Sequence, residues 1–534
     1  MVYYNSNMRV SAVTDAGETE LAAAKDGTVF AGGGVRLGMK TEPSQGNVGA
    51  VRLELSAKRR LLYKLRVVWR MAMENVLVLG DEWERTYGET RWLPLAEART
   101  RAFPWYFLAD DGVEVRGFGV AIQPNSLACW RVDGETVMLE LDVRSGSNPL
   151  DLGGRALHAC TVVCGRATSR APFLAARQFC QALALYGPKS ERRWPANGGL
   201  PVYGYNDWYC AYGRNTAANF LADAGEIGAL CTNQENRPFA VADDGWQPNN
   251  CSVEPAGGRG PWDRAADTFG MEMPAFAKAV RGLGMKPGLW YRPLCAWNGA
   301  PDALRAKGHP EVFDPSLPDL RLRVRDDIAR FRRWGFQLVK CDYVTFDVCG
   351  KWGFELDDRL VVDRRDWADS SHTTAETMLA LFRTMREAAG DDMVLIGCNA
   401  LNHLAAGIFD VQRIGDDTSG REWDRTLKMG VNTLSARLCQ HGVFFQADAD
   451  CVGLADAGAV PWEKNRQWLR LVAESGTPLF VSWKRGLLDA EVRQALQDAF
   501  TKAATPRQCM PIDWASNSRP SRWKTDSGEF TFSW

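Results

Sequence analysis

Two short stretches place acidic residues where apolar runs end: Leu338-Val339-Lys340-Cys341-Asp342-Tyr343 and Gln412-Arg413-Ile414-Gly415-Asp416-Asp417-Thr418. Each run reads as a buried strand. Strand side chains alternate between faces, so Lys340 and Asp342 point one way and Cys341 the other. A cation and a carboxylate then share one pocket. The expectation is that Lys340 holds Asp342 ionised, because an opposite charge nearby favours the charged form and a nucleophile must be ionised. The second stretch brings a further acid, Asp416 or Asp417, with Arg413 beside it. One charged carboxylate and one carboxyl able to lend a proton are what cleavage of a sugar's glycosidic bond requires.

These residues need elements to position them. From about Arg9 to about Arg170 short alternating segments are separated by Gly, Asn and Asp, among them Gly49–Leu55, Asn75–Leu79, Val137–Val143 and His158–Val163. Period-two patterning with frequent turn signals predicts a β-sandwich. In this domain the patch Asp81-Glu82-Trp83-Glu84-Arg85-Thr86-Tyr87-Gly88 is the most polar and aromatic, and it is read as a turn because turns collect these residue types. A helical segment near Phe173–Tyr186 and a Pro/Gly-rich break, Gly187–Pro201, follow.

Beyond the break, short apolar strands alternate with amphipathic runs. The strand candidates are Val202–Asn206, Phe239–Asp243, Lys286–Tyr291, Gln337–Asp342, Val394–Cys398, Asp410–Gly415, Gly442–Gln446 and Leu479–Trp483. Leu320, Val324, Ile328 and Phe331 recur at helical spacing before Gly335, and Phe276, Val280 and Leu283 before Gly284. Eight strands alternating with helices predict a (β/α)8 TIM barrel. From about Thr505 the rhythm stops, and Gly528–Trp534 reads as a strand of a small, incomplete β unit. The expected division is residues 1–186 as the sandwich, 187–504 as the catalytic barrel and 505–534 as the C-terminal β segment.

Bulk composition excludes several functions. The 534 residues are 46% hydrophobic and 24% charged, as in ordinary globular proteins. Lys plus Arg (64) nearly balances Asp plus Glu (65), so no field selects nucleic acid or an anionic membrane. The N-terminal Met1–Arg9 has no apolar signal core, and no apolar run is long enough to span a bilayer, so a cytoplasmic location is expected. The 14 cysteines are scattered and read as buried free thiols; the five histidines show no metal-binding spacing. Neither a metal nor a cofactor is expected. Whether copies of the chain form a homo-oligomer is left open.

In a barrel, active sites lie where strands end. Those ends are Asn206-Asp207-Trp208, Asp243-Asp244-Gly245-Trp246, Trp290-Tyr291-Arg292, Lys340 with Asp342, Cys398-Asn399, Arg413 with Asp416 or Asp417, and Gln446 with Asp448. So many polar or aromatic ends predict a polar cup. Asp243 and Asp244 read in isolation as a turn, but paired carboxylates suit vicinal sugar hydroxyls. Trp208 and Trp246 are either packing residues or platforms for a sugar's C–H face, Trp208 being the better platform. Lys340, inside an apolar strand, is poorly placed as a surface lysine.

The chain resembles the clan D glycoside hydrolases, the α-galactosidase families 27 and 36, and especially the family 36-like, melibiase-type branch. The resemblance rests on Gly204-Tyr205-Asn206-Asp207-Trp208, Asp243-Asp244-Gly245-Trp246, Lys286-Pro287-Gly288-Leu289-Trp290, Phe313-Asp314-Pro315, Lys340-x-Asp342, Gly397-Cys398-Asn399-Ala400, Arg413-Ile414-Gly415-Asp416-Asp417-Thr418 and Pro478-Leu479-Phe480-Val481-Ser482. It covers the barrel throughout and the sandwich more weakly. It implies a retaining, exo-acting α-galactosidase working on an α-galactoside, oligosaccharide or glycoconjugate. Asp342 matches the nucleophile, Lys340 a sugar-hydroxyl ligand, and Asp243 and Asp244 the residues that tell galactose from glucose. Arg413 matches the arginine four positions before the acid/base, which favours Asp417 over Asp416. Cys398 and Asn399 fall where the family meets the substituent on carbon 2.

Two departures stand out. Arg292 follows Trp290-Tyr291 where the family has an apolar or small residue, and Trp483-Lys484 replaces an acidic pair; either points to an acidic, extended or amino-substituted sugar. The alternatives are α-N-acetylgalactosaminide or α-galactosaminide cleavage on the same scaffold, a Schiff-base lyase using Lys340, and a non-catalytic sugar-binding protein.

Overall fold

Strands with inward Val, Leu and Trp at every second position build the first part of the chain into two antiparallel sheets. In Met8–Thr14 the buried residues are Val10, Ala12 and Thr14; in Leu62–Arg70 they include Leu65, Val67 and Trp69. One sheet has six strands, in the order 103–104, 127–132, 136–142, 62–70, 8–14, 17–20. The other has nine, in the order 22–23, 29–32, 35–45, 48–57, 157–168, 114–120, 106–110, 77–80, 93–94. Trp130 of the first sheet meets Phe107 of the second edge-on at 5.9 Å and Phe118 at 6.5 Å, so rings from both sheets fill the space between them. The computed structural model describes residues 8–188, 196–250, 258–356, 360–361, 365–454, 460–486 and 489–534. Part of the break expected at 187–201 lies outside the described residues.

After helix Pro172–Leu185 the pairing changes to parallel. Nine strands run in the order 446–448, 411–413, 394–397, 338–341, 286–291, 239–242, 203–206, 479–483, 452–454. Every pair between neighbours is parallel. Strands such as Phe239–Ala242 and Val394–Gly397 are buried at every position, as parallel strands covered on both faces are. Helix Pro318–Trp334 buries the predicted Leu320, Val324, Ile328 and Phe331 and stops at Gly335, whose φ of 95° ends the helix in the left-handed region.

One strand candidate needs correction. Residues 442–445 form a turn rather than a strand: Gly442 has φ 68° and its N–H bonds back to the Phe445 carbonyl. The strand starts at Gln446, and a further strand, Val452–Leu454, follows after three residues. The C-terminal region also exceeds its expectation of one strand. Cys509–Pro511, Arg522–Thr525 and Gly528–Thr531 form a three-stranded antiparallel sheet, held by buried Glu474, which accepts from Lys502, Arg507 and Ser527. Among the described residues no helix is long and apolar enough to cross a membrane, and thirteen cysteines stand as free thiols.

Candidate active site

The site lies at the carboxyl ends of the parallel strands. Strand Leu338–Cys341 buries Leu338, Val339 and Cys341, leaving Lys340 and the following Asp342 to face a pocket of about 290 Å³. Asp342 is fixed by two donors: Trp290 Nε1 reaches Oδ2 at 3.1 Å, and the Tyr343 N–H reaches Oδ1 at 2.7 Å. Tyr343 adopts φ 60°, which turns its own N–H toward the preceding side chain.

Lys340 does not bond Asp342 as expected. Its Nζ donates to Asp243 Oδ2 at 2.7 Å. Asp243 is the more deeply buried acid, and a buried carboxylate needs a paired cation more than a solvated one does. Burial pulls the lysine toward neutrality, but the Asp243 and Asp342 carboxylates outweigh it and hold the ammonium well above its usual range. A charged lysine cannot attack a carbonyl, which removes the main support for the Schiff-base alternative.

Asp243 and Asp244 share the wall beside Lys340. Asp243 Oδ2 also accepts from Asn206 Nδ2 at 2.7 Å, and its backbone N–H donates to Asp207 Oδ1 at 2.8 Å. Asp207 is buried, and burial first, with Asp243 nearby, pushes its carboxyl up to about 7. Asp244 is held by Arg259 Nε at 3.0 Å and Gln247 Nε2 at 2.5 Å. Both acids are thus oriented before a ligand arrives, with lone pairs left for hydroxyl groups.

Across the pocket, strand Val411–Arg413 delivers the second acid. Arg413 is buried; its Nη2 lies 3.1 Å from Asp417 and its Nη1 3.0 Å from Asp450. Asp416 sits between Arg425 at 2.9 Å and Arg85 at 3.2 Å. Gly415 is glycine for a steric reason: a Cβ there would fall 2.1 Å from the Met429 carbonyl oxygen. The raised proton affinity expected of Asp417 is not found. Burial raises it, but Arg413, Arg85 and Lys340 together hold it below the ordinary aspartate value.

Arg85 comes from the antiparallel part of the chain, in the patch read from sequence as a turn. That reading is wrong. The Thr86 N–H donates to the Ile414 carbonyl at 2.7 Å and the Asp416 N–H donates to the Thr86 carbonyl at 3.2 Å, a parallel bridge stitched onto the end of the acid-bearing strand. Behind it Arg437 pairs with Asp81 at 2.7 Å, both side chains 2% exposed. Arg85 lies over the faces of Tyr87 and Trp352, 5.8 and 5.4 Å from their centroids. Glu84 accepts from the Gly353 N–H at 2.9 Å, from Tyr87 and from Asn399. Arg85, Tyr87, Tyr343, Trp352 and Phe354 therefore line the pocket, none of them anticipated. The available signal was the density of Trp, Tyr, Arg and acids in one octapeptide, beyond what a turn needs. Asp450, which backs Arg413, was also missed.

Of the predicted residues, Trp208, Asp243, Asp244, Trp290, Lys340, Asp342, Cys398, Asp416 and Asp417 line one pocket. Four do not. Trp246 is fully buried against Trp262 and Phe331 and donates to the Trp290 carbonyl at 2.9 Å, so it packs the wall. Arg292 makes a two-pronged bond to Asp347 at 2.7 and 3.0 Å and stacks on Tyr343, which positions that residue. Asn399 turns to Glu84 and the Phe346 N–H, while Arg413 acts through Asp417 from behind. The departure at Trp483-Lys484 also lies away from this pocket: Trp483 is buried with its Nε1 on the Asp223 carbonyl, and Lys484 faces a different cavity.

The chain has the fold of the family 36 α-galactosidases of glycoside hydrolases. An α-galactosidase from Thermus thermophilus, solved with p-nitrophenyl α-D-galactopyranoside, superposes with a TM-score of 0.62 at 16% identity, over 98% of this chain and 99% of that one. A family 36 α-galactosidase from Geobacillus stearothermophilus, solved with 1-deoxygalactonojirimycin, gives 0.63 at 14% identity, over 98% and 79%. The Lactobacillus brevis α-galactosidase gives 0.59 at 12%, over 95% and 75%. No family model matches the sequence, and no curated protein matches it.

Proposed function

We propose that the protein is a retaining α-galactoside hydrolase. The observation that carries this reading is that Asp342 and Asp417 open onto one pocket together with the oriented pair Asp243 and Asp244. Asp342, steadied by Trp290 and Tyr343, attacks the anomeric carbon while Asp417 protonates the departing oxygen. Asp417 then takes a proton from water, which releases the sugar from Asp342. Asp417 is preferred to Asp416 because its side chain is 39% exposed against 24%. A depressed proton affinity suits the base step. For the acid step, sugar entering the pocket displaces water from Asp417, and desolvation restores its hold on the proton.

Residues 187–504 act as a closed (β/α)8 barrel, supported by the two outermost parallel strands being joined through only residues 449–451. Residues 1–186 act as a sandwich that completes the pocket with Arg85, and 505–534 as a small β unit. Charge sets the sugar class. Asp243, Asp244, Asp342, Asp416 and Asp417 face Arg85 and Lys340, so carboxylates outnumber cations and the pocket suits a neutral galactoside, or second an amino-substituted one, over an acidic sugar.

The test is turnover of nitrophenyl α-galactoside, α-N-acetylgalactosaminide, α-galactosaminide, α-galacturonide and α-glucoside at matched concentration. The galactoside should be fastest and the galacturonide poorest, and a fluorinated galactoside should leave a covalent mass on the peptide carrying Asp342. Turnover of the glucoside alone, or a label on another residue, overturns the assignment.

A further inference from the structure

Next to the sugar pocket is a larger cavity, about 540 Å³ against about 290 Å³, and its charge is of opposite sign. It opens between the ends of strands Tyr203–Asn206 and Leu479–Trp483, which are neighbours in the parallel sheet. Tyr205 and Phe220, edge to face at 5.3 Å, form its apolar back wall. Three cations line it. Arg485 is committed, with Nε 2.9 Å from Asp223 and Nη2 donating to Asn219 at 3.0 Å. Arg214 and Lys484 have no side-chain partner among the described residues. The remaining acid of the lining, Asp207, already accepts from the Asp243 N–H and from Asn215 Nδ2, and burial raises its proton affinity. Two free cations therefore face a polar cavity whose own carboxyl groups are occupied elsewhere.

Such a cavity is within the size of ordinary small-molecule sites and calls for an anion carrying several oxygen acceptors. A phosphate monoester has a charge near −2 at neutral pH and three such oxygens. A bare carboxylate would leave most of the volume to water. The loop after the last strand, where Lys484 and Arg485 sit, is also where barrel folds commonly hold phosphate groups.

We propose that this second cavity binds a hexose phosphate, its phosphate group held between Arg214 and Lys484 and its hydroxyls facing Asn219 and the aromatic back wall. The site has a route to the sugar pocket. Asn215 Nδ2 bridges Asp207 and the Asp243 carbonyl, at 2.9 and 3.2 Å.

The test is calorimetric titration of the full chain with glucose 6-phosphate, inorganic phosphate and glucose, in galactose so that the sugar pocket is filled. Saturable binding of the ester is expected, with phosphate weaker and glucose undetected. The Arg214→Ala/Lys484→Ala double variant should lose about tenfold or more in affinity, as expected for charge-assisted contacts, at an unchanged melting temperature. Lys484→Glu, a single exposed change, should have the same effect. No heat from the ester up to about 10 mM, or equal affinity in wild type and variants, overturns the site. Inorganic phosphate binding as tightly as the ester overturns the sugar part of the ligand. Because binding is read directly, the result does not depend on whether the chain cleaves galactosides.

Discussion

Lys340 gives its ammonium to Asp243, 2.7 Å away, and not to Asp342, which shares its strand end. The lysine therefore orients the acid proposed to grip the sugar, while the nucleophile candidate is held by neutral N–H donors from Trp290 and Tyr343. The two acids are prepared by different means for different tasks.

Lys340→Met should weaken both the fold and the grip on sugar. It strands Asp243, 3% exposed, without its cation, and breaking one half of a buried pair costs about 3–5 kcal/mol. Denaturant unfolding should show that loss. Unfolding at the wild-type midpoint would mean the pair is not strongly coupled.

Trp290→Phe keeps the ring in the wall and deletes the donor to Asp342 Oδ2. A hydrogen bond to a charged group is worth about 1.5–3 kcal/mol, so glycosylation should slow roughly tenfold to a hundredfold in single-turnover assays. A change confined to KM would assign Trp290 to binding alone.

The pH profile of kcat/KM reports the free enzyme. Burial raises the proton affinity of Asp417, but Arg413 first, then Arg85 and Lys340, carry it below the ordinary value, with Asp416 and Asp450 as the neighbouring acids. The acid form is therefore lost early, and kcat/KM should fall as pH rises from the acid range toward neutrality. Arg85→Met removes one of the three cations and should move that limb to higher pH. A limb that stays in place would show that another group controls it.

Asp207 has the opposite sign. Its folded value of about 7 lies above the unfolded value of about 3.9, so the native state binds its proton more tightly. Its contribution to stability is complete below about pH 4 and is lost as pH rises to about 7. Asp207→Asn should flatten the pH dependence of unfolding in that window. Parallel curves for wild type and variant would count against a buried, protonated Asp207.

Arg437→Met should disable the site from a distance. It removes the 2.7 Å partner of Asp81 behind the Arg85 segment, a buried pair whose loss costs about 3–5 kcal/mol. Activity should fall even at temperatures where the variant is folded, because Thr86 no longer holds the segment against Ile414 and Gly415. Full activity in a folded variant would separate the antiparallel sheets from the chemistry.

Much of this site was legible along the chain because strand alternation is local. Lys340 and Asp342 lie two residues apart near a strand end, so their shared direction follows from backbone geometry, and Asp243-Asp244 and Asp416-Asp417 are marked by the apolar runs they follow. Trp246 and Arg292 looked equivalent to their neighbours. A one-residue rotation past a strand end decides whether a side chain meets the pocket or the packing behind it, and no local pattern encodes that rotation.

The succession of strands and the acids carried at their ends can be read along the chain, since each depends on residues a few positions apart. Which cation serves which acid was settled by folding. Arg85 reaches Asp416 and Asp417, and Lys340 reaches Asp243, because charged groups taken out of water must pair with whatever opposite charge the folded layers bring within about 3–4 Å. That choice belongs to three-dimensional burial, not to spacing along the chain.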